Sequence, residues 1–139
     1  MGSELRHIAL LDDNPRTLWE TAQILKPYYD VEQLSVSETL FQHCQEHDVN
    51  LVVMSATLVA RHFVAIVADL HHHWPALPLV LTCRDDEHGR RMRENYESIA
   101  TGVASRPLET ASFLALIKRV LENHPYSTLK MEMTDTGRQ

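Results

Sequence analysis

The sequence predicts an α/β fold in which helices cover both faces of a parallel β-sheet. Short apolar runs without two-residue alternation are typical of strands buried on both faces, and the clearest are His7 to Leu11, Leu51 to Met54 and Leu79 to Thr82. Segments with apolar residues at helical spacing separate these runs. The connections are short, so we expect parallel strands joined by right-handed crossovers.

The first strand and the first helix have clear boundaries. The strand, His7 to Leu11, ends at two aspartates, after which Asn14 can cap a helix and Pro15 suits its first turn. Pro27 is expected to end this helix. Its apolar positions are Leu18, Ala22 and Leu25.

A second unit of strand and helix follows before the third strand. Val31 to Leu34 is the predicted second strand. The next four residues, Ser35 to Glu38, have the form of a capping box and are expected to begin the second helix. The apolar face of that helix consists of Val36, Leu40 and Cys44.

The second half of the chain continues the same alternation. A third helix is predicted from about Ala60 to His73, ended by Trp74 and Pro75. The remaining elements are a fourth strand at Leu79 to Thr82, a polar helix within Asp85 to Ile99, a strand at Gly102 to Ser105 and a last helix at about Glu109 to Asn123. The apolar positions of the two longer helices are Phe63, Val67 and Leu70, and Phe113, Leu116, Ile117 and Val120.

Five strands alternating with five helices predict a flavodoxin-like (βα)5 three-layer sandwich with the parallel sheet order 2-1-3-4-5. Ligand chemistry in such sheets lies at the carboxyl ends of the strands. We interpret residues 1–124 as this domain and residues 125–139, which are polar and aperiodic, as a tail or the start of a linker. The residues expected at the carboxyl ends are Asp12, Asp13, Ser55, Thr82 and Arg106.

Composition excludes several classes of function. The chain has 139 residues and a net charge of −6, so direct binding of nucleic acid by this domain is not expected, although a DNA-binding neighbour in a longer chain is compatible. Two cysteines are too few for a disulfide framework. No apolar run is long enough to cross a membrane and nothing resembles a signal peptide, so we expect a cytoplasmic protein.

The residues at the strand ends resemble the active site of bacterial response-regulator receiver domains. The resemblance covers about Arg6 to His124. In that family an acidic pair that holds Mg²⁺ ends the first strand, as Asp12 and Asp13 do here, and a Thr or Ser ends the fourth strand, as Thr82 does. The fifth strand of the family ends in Lys-Pro, usually with a cis peptide, and Arg106-Pro107 occupies that place.

Three departures from the family pattern indicate a domain released from the phosphorylation cycle. Ser55 stands where the family has the aspartate that forms an acyl phosphate, and a serine hydroxyl is a poor substitute for a carboxylate nucleophile. The aromatic switch position of the family is Val103. The segment that follows the phosphorylated aspartate in the family is also lost, and its last positions hold Leu58, Val59, His62 and Phe63.

The acidic pair leaves two alternatives open. Asp12 and Asp13 would hold Mg²⁺ weakly, or hold no metal and instead stabilise the start of the first helix. Arg106 would either form a forked bond to one of these carboxylates and replace the cation, or point to solvent. Without a phosphoryl group, Thr82 is interpreted as an ordinary residue at a strand end. We expect no other cofactor.

The three consecutive histidines and the apolar arc of the last helix each require an interpretation. Consecutive residues of a helix point in different directions, so His71, His72 and His73 are not expected to share a metal ion. The last helix has a wide apolar arc, which is either a homodimer surface formed by the fourth helix, fifth strand and fifth helix, as the resemblance implies, or a generous core face. The candidate interface residues are Arg90, Arg91, Arg93, Leu114, Lys118 and Leu121.

The favoured hypothesis is a non-enzymatic pseudo-receiver that acts through a protein partner or an output domain. It would be the regulatory domain of a transcriptional regulator or, alternatively, part of a hybrid histidine kinase. A second hypothesis is a receiver phosphorylated at a non-standard residue, with Asp48 as the nearest candidate. A small enzyme or nucleotide-binding protein is disfavoured because no glycine-rich loop follows the first strand.

Overall fold

Ten regular elements alternate along the chain in the computed structural model, which describes residues 5–56, 60–96 and 98–129, except for the side chains of residues 60–63. The strands are β1 (His7–Leu11), β2 (Asp30–Leu34), β3 (Leu51–Ser55), β4 (Leu79–Arg84) and β5 (Gly102–Arg106). The helices are α1 (Pro15–Leu25), α2 (Ser37–Glu46), α3 (Ala60–His73), α4 (Glu87–Tyr96) and α5 (Thr110–Asn123).

The strands form one parallel sheet with the order β2-β1-β3-β4-β5. This order confirms the predicted fold class and strand topology. The central strand β3 is buried along its whole length, as its continuous apolar run predicts. The two edge strands, β2 and β5, are only partly buried.

Two hydrophobic clusters lie on opposite faces of the sheet. Alternate residues of β1 divide between them, because successive side chains of a strand point to opposite faces. Ala9 and Leu11 join the cluster that includes α2, α3 and α4, whereas Ile8 and Leu10 join the cluster that includes α1 and α5. The chain therefore has three layers, two helices on one face and three on the other.

The residue that caps α1 is the one predicted from the sequence, whereas the residue that caps α2 is not. Asn14 caps α1, where its side chain accepts hydrogen bonds from the backbone amides of Arg16 and Thr17. The predicted capping box at Ser35 is wrong. The residue that caps α2 is Val36, which offers no side-chain acceptor, so Ser35 lies one residue too early in the chain to cap the helix.

The domain extends beyond its predicted boundary at residue 124. Ser127 and Thr128 are buried, and the Thr128 amide donates to the Val49 carbonyl over 3.0 Å. The Thr128 hydroxyl donates to the His47 carbonyl over 2.7 Å and accepts from the Val49 amide over 3.0 Å. Tyr126–Leu129 is therefore part of the folded unit, and residues 130–139 of the predicted tail lie outside the described residues.

Among the residues that the structure describes, no helix is both long and apolar enough to cross a membrane.

Candidate functional site

Four of the five predicted site residues meet at the carboxyl edge of the sheet. Ser55 and Thr82 are paired in register at the ends of β3 and β4, and Asp12 follows β1 directly. All three side chains are almost fully buried. Arg106, the last residue of β5, extends toward them, and 13% of its side chain is exposed. Parallel strand ends thus converge here as the sequence predicted.

Arg106 makes its contacts through one nitrogen. Its Nη2 donates to Asp12 Oδ2 over 3.3 Å, to Thr82 Oγ1 over 3.1 Å and to Thr21 Oγ1 over 3.2 Å. Arg106 therefore bridges directly to the first acidic residue, which was one of its two expected arrangements. The bond to Asp12 is not forked as expected, because the guanidinium spreads its contacts over three side chains.

Asp12 is held by donors from several directions. The Thr17 hydroxyl donates to its Oδ2 over 2.5 Å, and the Asn14 amide donates to its Oδ1 over 2.9 Å. Together with Arg106, these groups compensate a carboxylate that has no contact with solvent. Asp13 is exposed, and within the described parts of the chain no ion pair joins it to Arg106.

Burial perturbs the ionisable groups around this edge. Burial lowers the pKa of the Arg106 guanidinium, and the negative charges of Asp12 and Glu20 oppose that effect. Arginine nevertheless stays charged at any physiological pH. Burial also raises the pKa of the Cys83 thiol, which disfavours a thiolate nucleophile beside the site.

Two further positions of the family pattern, Val103 and the Arg106-Pro107 peptide, lie in or directly after β5. Val103 lies in β5, is half-buried and packs against the cluster that includes α2, α3 and α4. The Arg106-Pro107 peptide is cis, as the resemblance implied. Leu58 and Val59 lie outside the described residues, as do the side chains of His62 and Phe63.

Asp48, the alternative phosphorylation candidate, is not part of this cluster. It precedes β3, whereas Ser55 ends that strand, so the two lie at opposite edges of the sheet. Its Oδ1 accepts the Leu129 amide over 3.3 Å. Neither Arg106 nor Thr82 is therefore available to a phosphoryl group on Asp48.

The candidate interface residues divide between surface and core. Arg90, Arg91 and Lys118 are exposed, and Arg91 pairs with Glu87 on its own helix. Arg93 is half-buried and donates to the Ser105 hydroxyl over 2.6 Å.

The apolar candidates on α5 belong to the core. Leu121 is 3% exposed and lies in the same cluster as Ile117, one helical turn earlier, so its assignment to a surface was wrong. Leu114 is half-buried and packs against that cluster. Much of the wide arc on α5 is therefore a core face.

The three consecutive histidines stay at the surface. His71, His72 and His73 are exposed in the last turn of α3, and the His72 and His73 rings meet edge to face with centroids 5.3 Å apart. Within the described ranges, no group of three histidine, cysteine or acidic side chains is arranged to hold a metal ion.

Sequence reasoning missed two threonines of α1 that complete the site. Thr21 is fully buried and Thr17 touches Asp12, and they lie one turn apart on the same face of the helix. The signal was present, because Thr21 adjoins the apolar position Ala22. Two polar side chains that lie one helical turn apart, next to the apolar face of a helix, indicate hydrogen bonds to a buried polar group.

No protein-family model matches the sequence, and no curated protein matches it. Solved structures do match. The signal receiver domain of an HD domain-containing protein from Pseudomonas fluorescens Pf-5 is 20% identical, with a TM-score of 0.76 over 89% of this chain and 92% of that chain. A CheY-like receiver domain protein from Methanospirillum hungatei JF-1 is 19% identical, with a TM-score of 0.73 over 88% and 98%.

Longer proteins match over part of their length. Full-length FixJ from B. japonicum is 11% identical, with a TM-score of 0.77 over 88% of this chain and 60% of that chain. These similarities rest on architecture, since the identities are low. The chain therefore has the fold of the receiver domains of two-component response regulators.

Proposed function

We propose that this chain is a pseudo-receiver of bacterial two-component signalling, which takes no phosphoryl group and acts through protein contacts. The observation that carries the proposal is the position of Arg106. Its guanidinium lies 3.3 Å from Asp12 and 3.1 Å from Thr82. In an ordinary receiver a metal ion and a phosphoryl group would use these two side chains. A cation that belongs to the chain itself therefore occupies the place of the metal ion.

The chemistry of the site favours this proposal over phosphorylation. An acyl phosphate requires a carboxylate nucleophile, and the residue at the end of β3 is Ser55. A divalent cation requires oxygen ligands that are free of a competing positive charge. Asp12 is already paired with Arg106, so Mg²⁺ binding at Asp12 and Asp13 would be weak.

The output is proposed from the longer proteins with the same fold. In FixJ and in NtrX from Brucella abortus, this chain spans 60% and 29% of the matching protein. By analogy, we place this domain as the regulatory part of a cytoplasmic transcriptional regulator that forms a homodimer through α4, β5 and α5. The exposed Arg90, Arg91 and Lys118 supply charge for such a surface.

Incubation with acetyl phosphate and Mg²⁺ tests the proposal directly. We expect the intact mass of the wild-type protein to stay unchanged. The variant Ser55→Asp restores a carboxylate but keeps Arg106 and Val103. We therefore expect it to show no phosphorylation-dependent change of oligomeric state, measured by light scattering after size-exclusion chromatography. Ser55→Asn is the matched control, since the asparagine side chain is similar in size to aspartate and has no nucleophilic carboxylate.

Three results would contradict the proposal. The first is a phosphoryl group on the wild-type protein that disappears when a single acid such as Asp48 is replaced. The second is a Ser55→Asp variant that takes up phosphate and changes its oligomeric state as an ordinary receiver does. The third is a crystal soaked in Mg²⁺ that contains a fully occupied octahedral ion at Asp12 and Asp13.

A further inference from the structure

Three histidines from separate parts of the chain meet at the amino edge of the sheet, opposite the Arg106 site. His7 begins β1, His43 lies in the last turn of α2 and His47 follows that helix. The His7 and His43 rings approach tip to tip, with their Nε2 atoms 2.7 Å apart. The His43 and His47 rings stack with their centroids 4.2 Å apart. We call these three residues the histidine cluster.

The contact between the two Nε2 atoms has room for one proton. His7 Nδ1 lies 2.9 Å from Asp30 Oδ2, a geometry in which Nδ1 carries a hydrogen and donates to the carboxylate. In neutral His7 the Nε2 atom is then an acceptor, and His43 Nε2 must be the donor. If both rings became cations, two N–H groups would point at each other across 2.7 Å, and this contact would be lost.

The surroundings oppose a charge on His43. Burial lowers the pKa of His43, and the neighbouring His47 and His7 lower it further, whereas Glu32 and Asp30 of β2 act in the opposite direction. A histidine whose pKa is lower in the folded state than in the unfolded state binds fewer protons when folded. The contribution of His43 to stability is therefore fully present above the ordinary value of 6.5 and decreases as the pH falls below it.

The histidine cluster is connected to the segment Tyr126–Leu129. The His47 carbonyl accepts the Thr128 hydroxyl over 2.7 Å, and the His47 amide donates to the His43 carbonyl over 2.9 Å. Asn50 forms a second connection, because its Oδ1 accepts the His7 amide over 2.9 Å and its Nδ2 donates to the Tyr126 carbonyl over 3.4 Å. A displacement of either histidine would be transmitted to this segment.

Charge at the same edge reinforces the connection. The Asp48 carboxylate accepts the Leu129 amide over 3.3 Å, so an acidic group holds the far end of the segment beside the histidine cluster.

We propose that the histidine cluster is a pH-sensitive latch for the segment that follows α5, closed while the contact between His7 and His43 holds one shared proton and opened when a second proton on this pair breaks the contact. An open latch frees Tyr126–Leu129, through which the chain continues to residues 130–139. The proposal does not depend on whether the Arg106 site takes a phosphoryl group, because that site lies at the opposite edge of the sheet.

Amide hydrogen exchange measured by NMR tests the latch. Between about pH 7.5 and about pH 5, we expect the protection factors of the Val49 and Thr128 amides to fall by an order of magnitude or more. The amide of Val52 in β3, which donates to the Pro78 carbonyl, is expected to keep its protection and reports global stability. In the double variant His43→Gln and His47→Gln, the amide groups of glutamine replace the rings without titrating, so protection should no longer depend on pH.

The matched control is His72→Gln, which removes an exposed histidine from α3 and should leave the pH response unchanged. If the double variant does not fold, a pH titration of the wild-type protein still tests the proposal. The ring resonances of His43 must then titrate over the same pH range in which Thr128 loses protection, and titration over a different range overturns the proposal. Equal loss of protection at Val52, or a response that disappears with a metal chelator, also overturns it.

Discussion

At the scale of single residues, Arg106 and Asp12 depend on each other. Both side chains are largely removed from solvent, and a buried charge is tolerated only when it is paired and hydrogen-bonded. Thr17, Thr21 and Thr82 supply the additional polar contacts of this pair. The guanidinium is therefore a structural component of the fold as well as the feature that defines the site.

We expect Arg106→Met to lower the free energy of unfolding by about 3–5 kcal/mol, because it leaves the Asp12 carboxylate buried without its cation. Urea unfolding at neutral pH measures this loss. The matched control is Arg16→Met, which breaks the exposed pair between Arg16 and Glu20 on α1. A pair of that kind contributes about 0.3–0.5 kcal/mol.

The double variant Arg106→Met with Asp12→Asn tests whether the two residues are energetically coupled. Removal of both charges should recover a large part of the lost stability, since no uncompensated charge remains. If the losses of the two single variants simply add, the two residues are not coupled, and our account of the site is wrong.

At the scale of elements, the starts of α1 and α2 are chemically different. Asn14 satisfies two backbone amides at the start of α1, which otherwise have no partner in the helix. Val36 occupies the same position at α2, with an extended backbone but no side-chain oxygen to offer. Nearly half of the Val36 side chain is exposed, so its contribution to the core is small.

The variant Val36→Ser should therefore stabilise the protein by about 1 kcal/mol, because serine can accept a hydrogen bond from the first turn of α2. In the reverse experiment, Asn14→Ala should destabilise it by about 1 kcal/mol. Thermal or urea unfolding measures both changes. An unchanged or reduced stability of Val36→Ser would show that its contact with neighbouring side chains outweighs the missing cap.

At the scale of the whole molecule, the sequence predicts those features that depend on local pattern. Three buried strands follow from their apolar runs, and their alternation with helices predicts a parallel doubly wound sheet, of which the flavodoxin-like order is a common form. The placement of Asp12, Thr82 and Arg106 at one edge follows from topology, because the carboxyl ends of parallel strands share an edge. The direction of the Arg106 side chain was left open between a carboxylate and solvent, and its contacts in the structure decide it.

Features that depend on tertiary contact were not predictable. The histidine cluster joins His7 to two histidines 36 and 40 positions later in the chain, and only the i, i+4 spacing of His43 and His47 is visible in the sequence. Thr128 lies in a polar, aperiodic stretch, and its burial depends on backbone groups of His47 and Val49 that a sequence pattern does not show. Leu121 fits both a surface arc and a core face, and only the position of α5 on the sheet distinguishes them.

Removal of the segment Tyr126–Leu129 tests its contribution to the domain. A chain ending at residue 124 should unfold with a free energy lower by roughly 3 kcal/mol than a chain ending at residue 129, since each of the three hydrogen bonds of Thr128 contributes about 1 kcal/mol. Urea unfolding of the two truncated chains measures the difference. Equal stability would support the original boundary at residue 124 and would show that the docked segment contributes nothing to folding.

The buried contact between Arg106 and Asp12 also affects how information would pass through this protein. A covalent phosphoryl group can be added and removed many times during the life of a protein, whereas a side chain is present from synthesis to degradation. Mobile ions screen a buried pair only weakly, so changes in salt concentration leave it intact. Under the proposed function, the output of this domain would depend on the number of copies in the cell, and not on the fraction of them that is phosphorylated.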